Sequence, residues 1–208
     1  MDGFAFHPYG DNSSVGPTVA HPSSTSIGVA DYGKLVGLLG AAFDGTAQVG
    51  SKLPIIYDEY GVESRIPPGK LRFYHGVEPT TTKPVPLQTQ GSYYDEALTM
   101  AACQPTVQAV FLFHVTDETD LNRWQSGVYY ADGTPKPTRA VVKQTIAQIR
   151  SGGVDCTQGP LIHENDGWVL AGKEATAKKP AKRPAKKPAK KHRPQHGLLG
   201  FLSFVGTR

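Results

Sequence analysis

Three short apolar runs, each closing on polar residues and each followed by a long polar loop, constrain this chain more than any other feature. They are Phe4-Ala-Phe-His-Pro-Tyr9, Leu53-Pro-Ile-Ile-Tyr-Asp-Glu-Tyr-Gly61 and Val110-Phe-Leu-Phe-His-Val-Thr-Asp117. A run of this length and composition, bounded by turn residues, reads as a buried strand. Helical patterns lie between and after the runs. Asp31 reads as an N-cap ahead of the stripe Leu35, Val36, Leu38, Leu39, Ala42 and Phe43. Ser92 reads as the cap of a second helix that buries Tyr93, Ala97, Leu98, Met100 and Ala101. Thr138 reads as the cap of a third, with Val141, Val142, Thr145, Ile146 and Ile149 at helical spacing. The run from Val107 to Val115 is apolar enough for a strand covered on both faces.

The order is therefore β-loop-α three times. The long loops, 10–30, 64–91 and 117–137, all follow the C-terminal ends of strands, and the returns from helix to strand are short. That asymmetry belongs to a (β/α) barrel, whose working edge is built from the loops after the strands. Three units cannot close a barrel of eight. The expected fold is α/β: the C-terminal part, about strands 6–8, of a (β/α)8 TIM barrel from a larger protein. A doubly wound sheet is the alternative, but its Gly-rich first turn is missing. The expected organisation is a partial barrel over 1–156, a short extension with a hairpin around Asn165-Asp-Gly167 over 157–172, and a tail over 173–208.

Charge divides the chain at the same place. Residues 1–172 hold 11 basic and 17 acidic residues, while 173–193 hold 10 basic residues and one Glu. The net charge of +4 thus describes the tail, and it does not make the acidic remainder a nucleic-acid binder. The tail is a loose Lys-Lys-Pro-Ala repeat with nothing apolar to pack, so it is expected to be disordered. Its candidate partners are an anionic cell-wall polymer or, non-specifically, nucleic acid; a solvated linker is the plain reading. No apolar run reaches the length of a membrane span, and no signal peptide opens this chain.

The cysteines are Cys103, at the end of one helix, and Cys156, just past the end of the next. In a barrel both helix ends lie on the bottom face, which allows a disulfide and would imply export; two independent thiols are the alternative. His75 and His163 stand alone, and no Cys/His cluster has zinc spacing, so neither metal nor cofactor is expected.

The strand ends carry a resemblance. His7-Pro-Tyr9, Glu59-Tyr-Gly61 after an apolar strand, and Arg123-Trp-Gln-Ser-Gly-Val-Tyr-Tyr-Ala-Asp-Gly-Thr-Pro-Lys-Pro137 leading into the last helix are similar to clan A glycoside hydrolases of the family 5 cellulase and mannanase kind. The resemblance covers roughly residues 3–151. It implies hydrolysis of O-glycosyl bonds with retention, an oligo- or polysaccharide substrate, and a secreted or cell-wall-associated parent. It makes Glu59 the nucleophile. His7, Tyr9, Tyr60, His114 and Trp124 become substrate-site residues, with His114 standing where the family has a Trp. His7 and Tyr9 can hold Glu59 ionised and aimed. Strand alternation points Asp58 the other way; Glu63 is the competing acid, but it lies beyond the Gly turn and reads as a loop residue. Asp117, Glu118 and Asp120 can meet sugar hydroxyls or Ca²⁺, with a solvated loop face the default.

The family's acid/base Glu, which follows an Asn upstream, has no counterpart here. Without it the leaving group cannot be protonated, so the resemblance implies a chain that is inactive or nearly so by itself. The other function classes open at this point are a non-catalytic carbohydrate-binding or degenerate barrel, and a protein whose basic tail does the binding.

Overall fold

The computed structural model describes residues 1–157 throughout and, beyond them, the backbone of two strands, Leu161–Glu164 and Gly167–Leu170. The His163 side chain and the tail over 173–208 lie outside what is described. The chain alternates β1 (Phe4–Phe6), α1 (Tyr32–Phe43), β2 (Ile55–Tyr60), α2 (Leu87–Ala102), β3 (Val107–Leu112) and α3 (Pro137–Arg150). The three strands form a parallel sheet in the order β1-β2-β3. The strands at 161–164 and 167–170, β4 and β5, pair antiparallel with Glu164 opposite Gly167. The protein is thus α/β with a small three-stranded parallel sheet.

Successive parallel strands joined by crossovers of one hand place their helices on one face of the sheet. The packing follows that rule. Ile55 and Tyr57 of β2 pack with Tyr32, Leu35 and Leu39 of α1. Val110 and Leu112 of β3 pack against a cluster that holds Tyr94, Ala97 and Leu98 of α2 and Val142 of α3. Each large apolar side chain buried in this way contributes about 1.5–3 kcal/mol relative to exposure.

The opposite face has no covering layer among the described residues. Phe111 is 58% exposed and Val115, past the end of β3, is 67% exposed. The expectation of a strand covered on both faces is therefore corrected: the run is apolar enough for two layers, but the helices supply one.

The helix starts also differ from the sequence reading. Proline rather than a hydroxyl side chain marks two of them, with Pro86 preceding α2 and Pro137 opening α3. Ser92 and Thr138 lie inside their helices. Thr138 turns its hydroxyl to Gln90 Oε1 at 2.8 Å, where it ties α3 to α2. Asp31 does not cap α1 with its side chain. Its carboxylate is fully buried and accepts from the backbone of His21 (2.7 Å) and of Gly28 (2.8 Å), with His21 Nδ1 also at 2.7 Å. Lys34 donates to the carbonyls of His21, Ser24 and Ser26. One anion and one cation thus satisfy the turns of the loop after β1.

Cys103, which ends α2, and Cys156, beyond α3, form a disulfide with a Cα–Cα distance of 5.4 Å across 53 residues of sequence. Closing a loop of that length stabilises by about 4 kcal/mol in the chain-entropy account. Replacing both cysteines with serine is predicted to lower the unfolding free energy by about that amount, read from the urea midpoint. An unchanged midpoint would mean that the bond does not constrain the unfolded chain.

Candidate active site

Tyr57 and Tyr60 are both buried on the helix side of the sheet, at 1% and 3% exposure. In a regular strand, residues three apart face opposite ways. Here Tyr57 pairs with Val110 while Tyr60 pairs with Leu112, so three steps on β2 match two on β3. That is a β-bulge, and it leaves the intervening Asp58 and Glu59 together on the face away from the helices. The expectation that Asp58 points opposite to Glu59 is thereby corrected. Both carboxylates reach one imidazole: His7 Nε2 is 3.2 Å from Asp58 Oδ1 and His7 Nδ1 is 3.3 Å from Glu59 Oε2.

The residues just past the end of β1 supply the rest. A turn about Pro8, closed by Tyr9 N–H to His7 O at 3.0 Å, sets the two aromatic rings edge to face. The Tyr9 hydroxyl then donates to Glu59 Oε2 at 3.2 Å. Burial first, and the neighbouring Glu59 charge second, push the Tyr9 hydroxyl well above the ordinary tyrosine range. It therefore stays protonated and remains a donor to the carboxylate. The Glu59 side chain is one-third exposed, so the group that Tyr9 and His7 address is open to solvent.

Gly61 follows because nothing larger fits. A Cβ there would stand 2.5 Å from the Phe113 carbonyl oxygen. The Glu-Tyr-Gly sequence thus combines a presented carboxylate, a buried ring and a backbone crossing.

The other sequence candidates divide between wall and core. Trp124 returns from the loop after β3 to pack on Tyr9 (5.2 Å between centroids) and edge-on to Phe113 (5.3 Å). His114 lies against the Phe113 ring at 3.7 Å, and its Nδ1 is buried with no hydrogen-bond partner. Tyr60 stacks on Tyr9 and contacts Tyr94 edge-on from below, so most of its ring belongs to the core. A cleft of about 270 Å³ opens beside Tyr9, Tyr60 and Trp124 and is completed by Asn12, Ser13, Glu63 and Thr82. Glu59 is not in its wall and is linked to it through Tyr9. Phe113, which joins Trp124 to the strand end, escaped the sequence reading; its place at the close of an apolar run was the available signal.

The loop after β3 is held by a buried ion pair rather than a solvated face. Lys136 and Asp117 have fully buried side chains, with Nζ 2.7 Å from Asp117 Oδ1. Lys136 also donates to Ser64 Oγ and to the Gln125 carbonyl, both at 2.9 Å. Asp117 further accepts from the Tyr74 hydroxyl (2.8 Å) and the Gly127 N–H (2.9 Å). Burial pushes the Asp117 carboxyl up and the Lys136 ammonium down, and each charge opposes the effect on the other. The solvated default for Asp117 is corrected accordingly. Glu118 accepts from the Trp124 backbone at 3.0 Å, so it sets the turn that carries the indole. Asp120, half-exposed, caps the Asn122 backbone at 2.9 Å. Among the described residues no group of three or more His, Cys, Asp or Glu side chains is arranged to hold a metal ion. No helix among them is long and apolar enough to cross a membrane.

No protein-family model matches the chain, and no curated protein matches it. One weak structural neighbour is a glycoside hydrolase. It is the β-glucuronidase of Bifidobacterium dentium, solved in complex with coumarin-3-O-glucuronide, at 17% identity and a TM-score of 0.33. The match covers 56% of this chain, which spans 18% of that protein's length. A likeness of that size assigns neither fold nor activity.

Removing one member of a buried ion pair strands the other without compensation, at a cost of about 3–5 kcal/mol. Lys136→Met is predicted to destabilise by that amount in chemical denaturation. The double variant Lys136→Met, Asp117→Leu should recover part of the loss. A single variant as stable as the parent would show that the pair does not hold the loop.

Proposed function

We propose that the edge carrying Glu59 is the nucleophile side of a retaining glycoside hydrolase site, and that the three β/α units are the C-terminal part of a (β/α)8 barrel. The observation that carries the reading is the pair of contacts on Glu59 Oε2, a Tyr9 hydroxyl at 3.2 Å and a His7 nitrogen at 3.3 Å, at the C-terminal ends of parallel strands. Both come from the segment just past the end of β1, the strand next to β2, and both orient a carboxylate whose task is in-line attack on an anomeric carbon. The uncovered sheet face bearing Phe111 supports the barrel half of the proposal, since that face is the interior of a closed barrel. Tyr9 and Trp124, tilted 35° to each other, offer an aromatic surface for a sugar ring.

In this reading Glu59 attacks, its electron pair forms the C1–O bond, and the glycosidic oxygen departs with the bonding pair. A second carboxyl group must protonate that oxygen, and no described residue has that role. Ordinary glycosides should therefore turn over slowly or not at all on this chain. The reading also places the full-length parent outside the cell, and the Cys103–Cys156 bond supports this.

The test removes the need for the acid. A dinitrophenyl 2-deoxy-2-fluoro-β-glycoside has a leaving group that departs unprotonated, and its fluorine slows hydrolysis of the glycosyl–enzyme. Incubating the full chain with the gluco and manno forms is predicted to add one glycosyl unit to the peptide containing Glu59, read by mass spectrometry. Glu59→Gln should abolish the adduct, and Tyr9→Phe should slow its formation about tenfold. Saturable sugar binding with no adduct, undiminished in Glu59→Gln, would instead establish the non-catalytic carbohydrate-binding reading.

A further inference from the structure

Glu63 lies three residues beyond Tyr60, is 6% exposed, and lines the cleft beside Tyr9 and Trp124. Its Oε2 is buried and meets no donor. Glu78, half-buried on the loop before α2, leaves its Oε1 in the same condition. The two carboxyl groups stand within hydrogen-bonding reach of each other. Two carboxylates offer only acceptors, so such a contact needs a proton between them.

No neighbouring cation replaces that proton. Lys136 faces Glu63, but its three donors are spent on Ser64 Oγ, Asp117 Oδ1 and the Gln125 carbonyl. From α2 the buried Tyr94 faces the same region, and from the loop after β3 Asp117 adds a like charge. Asp11 and Thr82 share the cleft wall.

The segment that carries Glu78 is anchored at both ends. His75 exchanges backbone hydrogen bonds with Thr119 and Leu121, and Val85 exchanges them with Glu63 and Arg65. Arg65 Nε–H reinforces the second anchor by donating to the Pro84 carbonyl at 3.0 Å. Over residues 76–83, among the described residues, two ties join the segment to the body of the protein. One is Ser13 N–H to Thr82 O at 3.1 Å, and the other is the Glu63–Glu78 contact. We infer that Glu63 and Glu78 form a one-proton clamp that closes residues 76–83 over the cleft, and that loss of the proton releases the segment.

Burial, followed by the charge of Glu78, pushes Glu63 up to about 8, so the clamp holds its proton at neutral pH. The sign for stability follows from linkage. The folded chain binds this proton more tightly than the unfolded chain does. The clamp's contribution is therefore full below the ordinary glutamate range and is lost as pH rises through about 8. None of this depends on the glycosidase reading.

The experiment follows the side-chain carboxyl ¹³C resonances of glutamate in the full chain from about pH 5 to 10. Glu63 should titrate near pH 8. In Glu78→Gln, whose amide donates permanently, its midpoint should fall by at least about one pH unit. Amide exchange at Val77, Glu78 and Thr80–Lys83, corrected for intrinsic base catalysis, should accelerate roughly tenfold between about pH 6 and 9 in the parent and stay flat in Glu63→Gln. The parent's Tm should fall across the same interval, and the fall should be absent in Glu63→Gln. A Glu63 midpoint in the ordinary glutamate range would overturn the proposal, as would identical exchange profiles in parent and variant. Millimolar Ca²⁺ should change nothing; restored protection at high pH on adding it would mean that the pair holds a cation and not a proton.

Discussion

Burial of two tyrosines on the same side of β2, three residues apart, is the constraint from which the site follows. Tyr57 hydrogen-bonds Gln104 at 2.7 Å, and Tyr60 stacks on Tyr9 and meets Tyr94 edge-on. A regular strand cannot bury both, so the chain bulges, and two carboxylates emerge side by side beneath one imidazole. The hydrophobic effect thus places charge indirectly. Two aromatic rings move into the core, and the acids between them have no other face to occupy.

The loops over this edge are long, and buried polar groups rather than apolar packing hold them. Asp31 and Lys34 gather the loop after β1, and Asp117 and Lys136 gather the loop after β3. α2 reaches up to the same region: Gln90 donates to the Val62 carbonyl at 2.7 Å, and the Tyr94 hydroxyl accepts from Val62 N–H at 3.2 Å. Each of these groups is satisfied, which is the condition for a buried polar network to stabilise. Glu63 and Glu78 break the pattern, because Glu63 Oε2 and Glu78 Oε1 are buried and lack a donor unless one carboxyl group keeps its proton.

The element order and the parallel sheet could be read from the sequence because each apolar run has strand length and each helix has its stripe. The His-Pro-Tyr and Glu-Tyr-Gly strand ends could be read because residues that must stand at one edge of a parallel sheet also stand at the ends of the runs. What could not be read were departures from periodicity. Alternation assigns Asp58 and Glu59 to opposite faces, and only the burial of Tyr60 reverses that; a tyrosine three residues from another was the available sign. The helix starts were misread for a similar reason. Ser92, Thr138 and Asp31 all have the chemistry of caps, but prolines at 86 and 137 already define two starts, and Asp31 satisfies a loop. Asp117 and Lys136 lie nineteen residues apart with no pattern joining them, so a fully buried pair looks like two surface charges until the loop is folded.

The bulge is the central claim, and proton–proton contacts in solution test it most directly. A nuclear Overhauser experiment on the full chain should show the His7 ring protons in contact with both the Asp58 Hβ and the Glu59 Hγ protons. Contact with one of these side chains and none with the other would mean that β2 alternates regularly through Glu59. The paired carboxylates, and the site built on them, would then not exist.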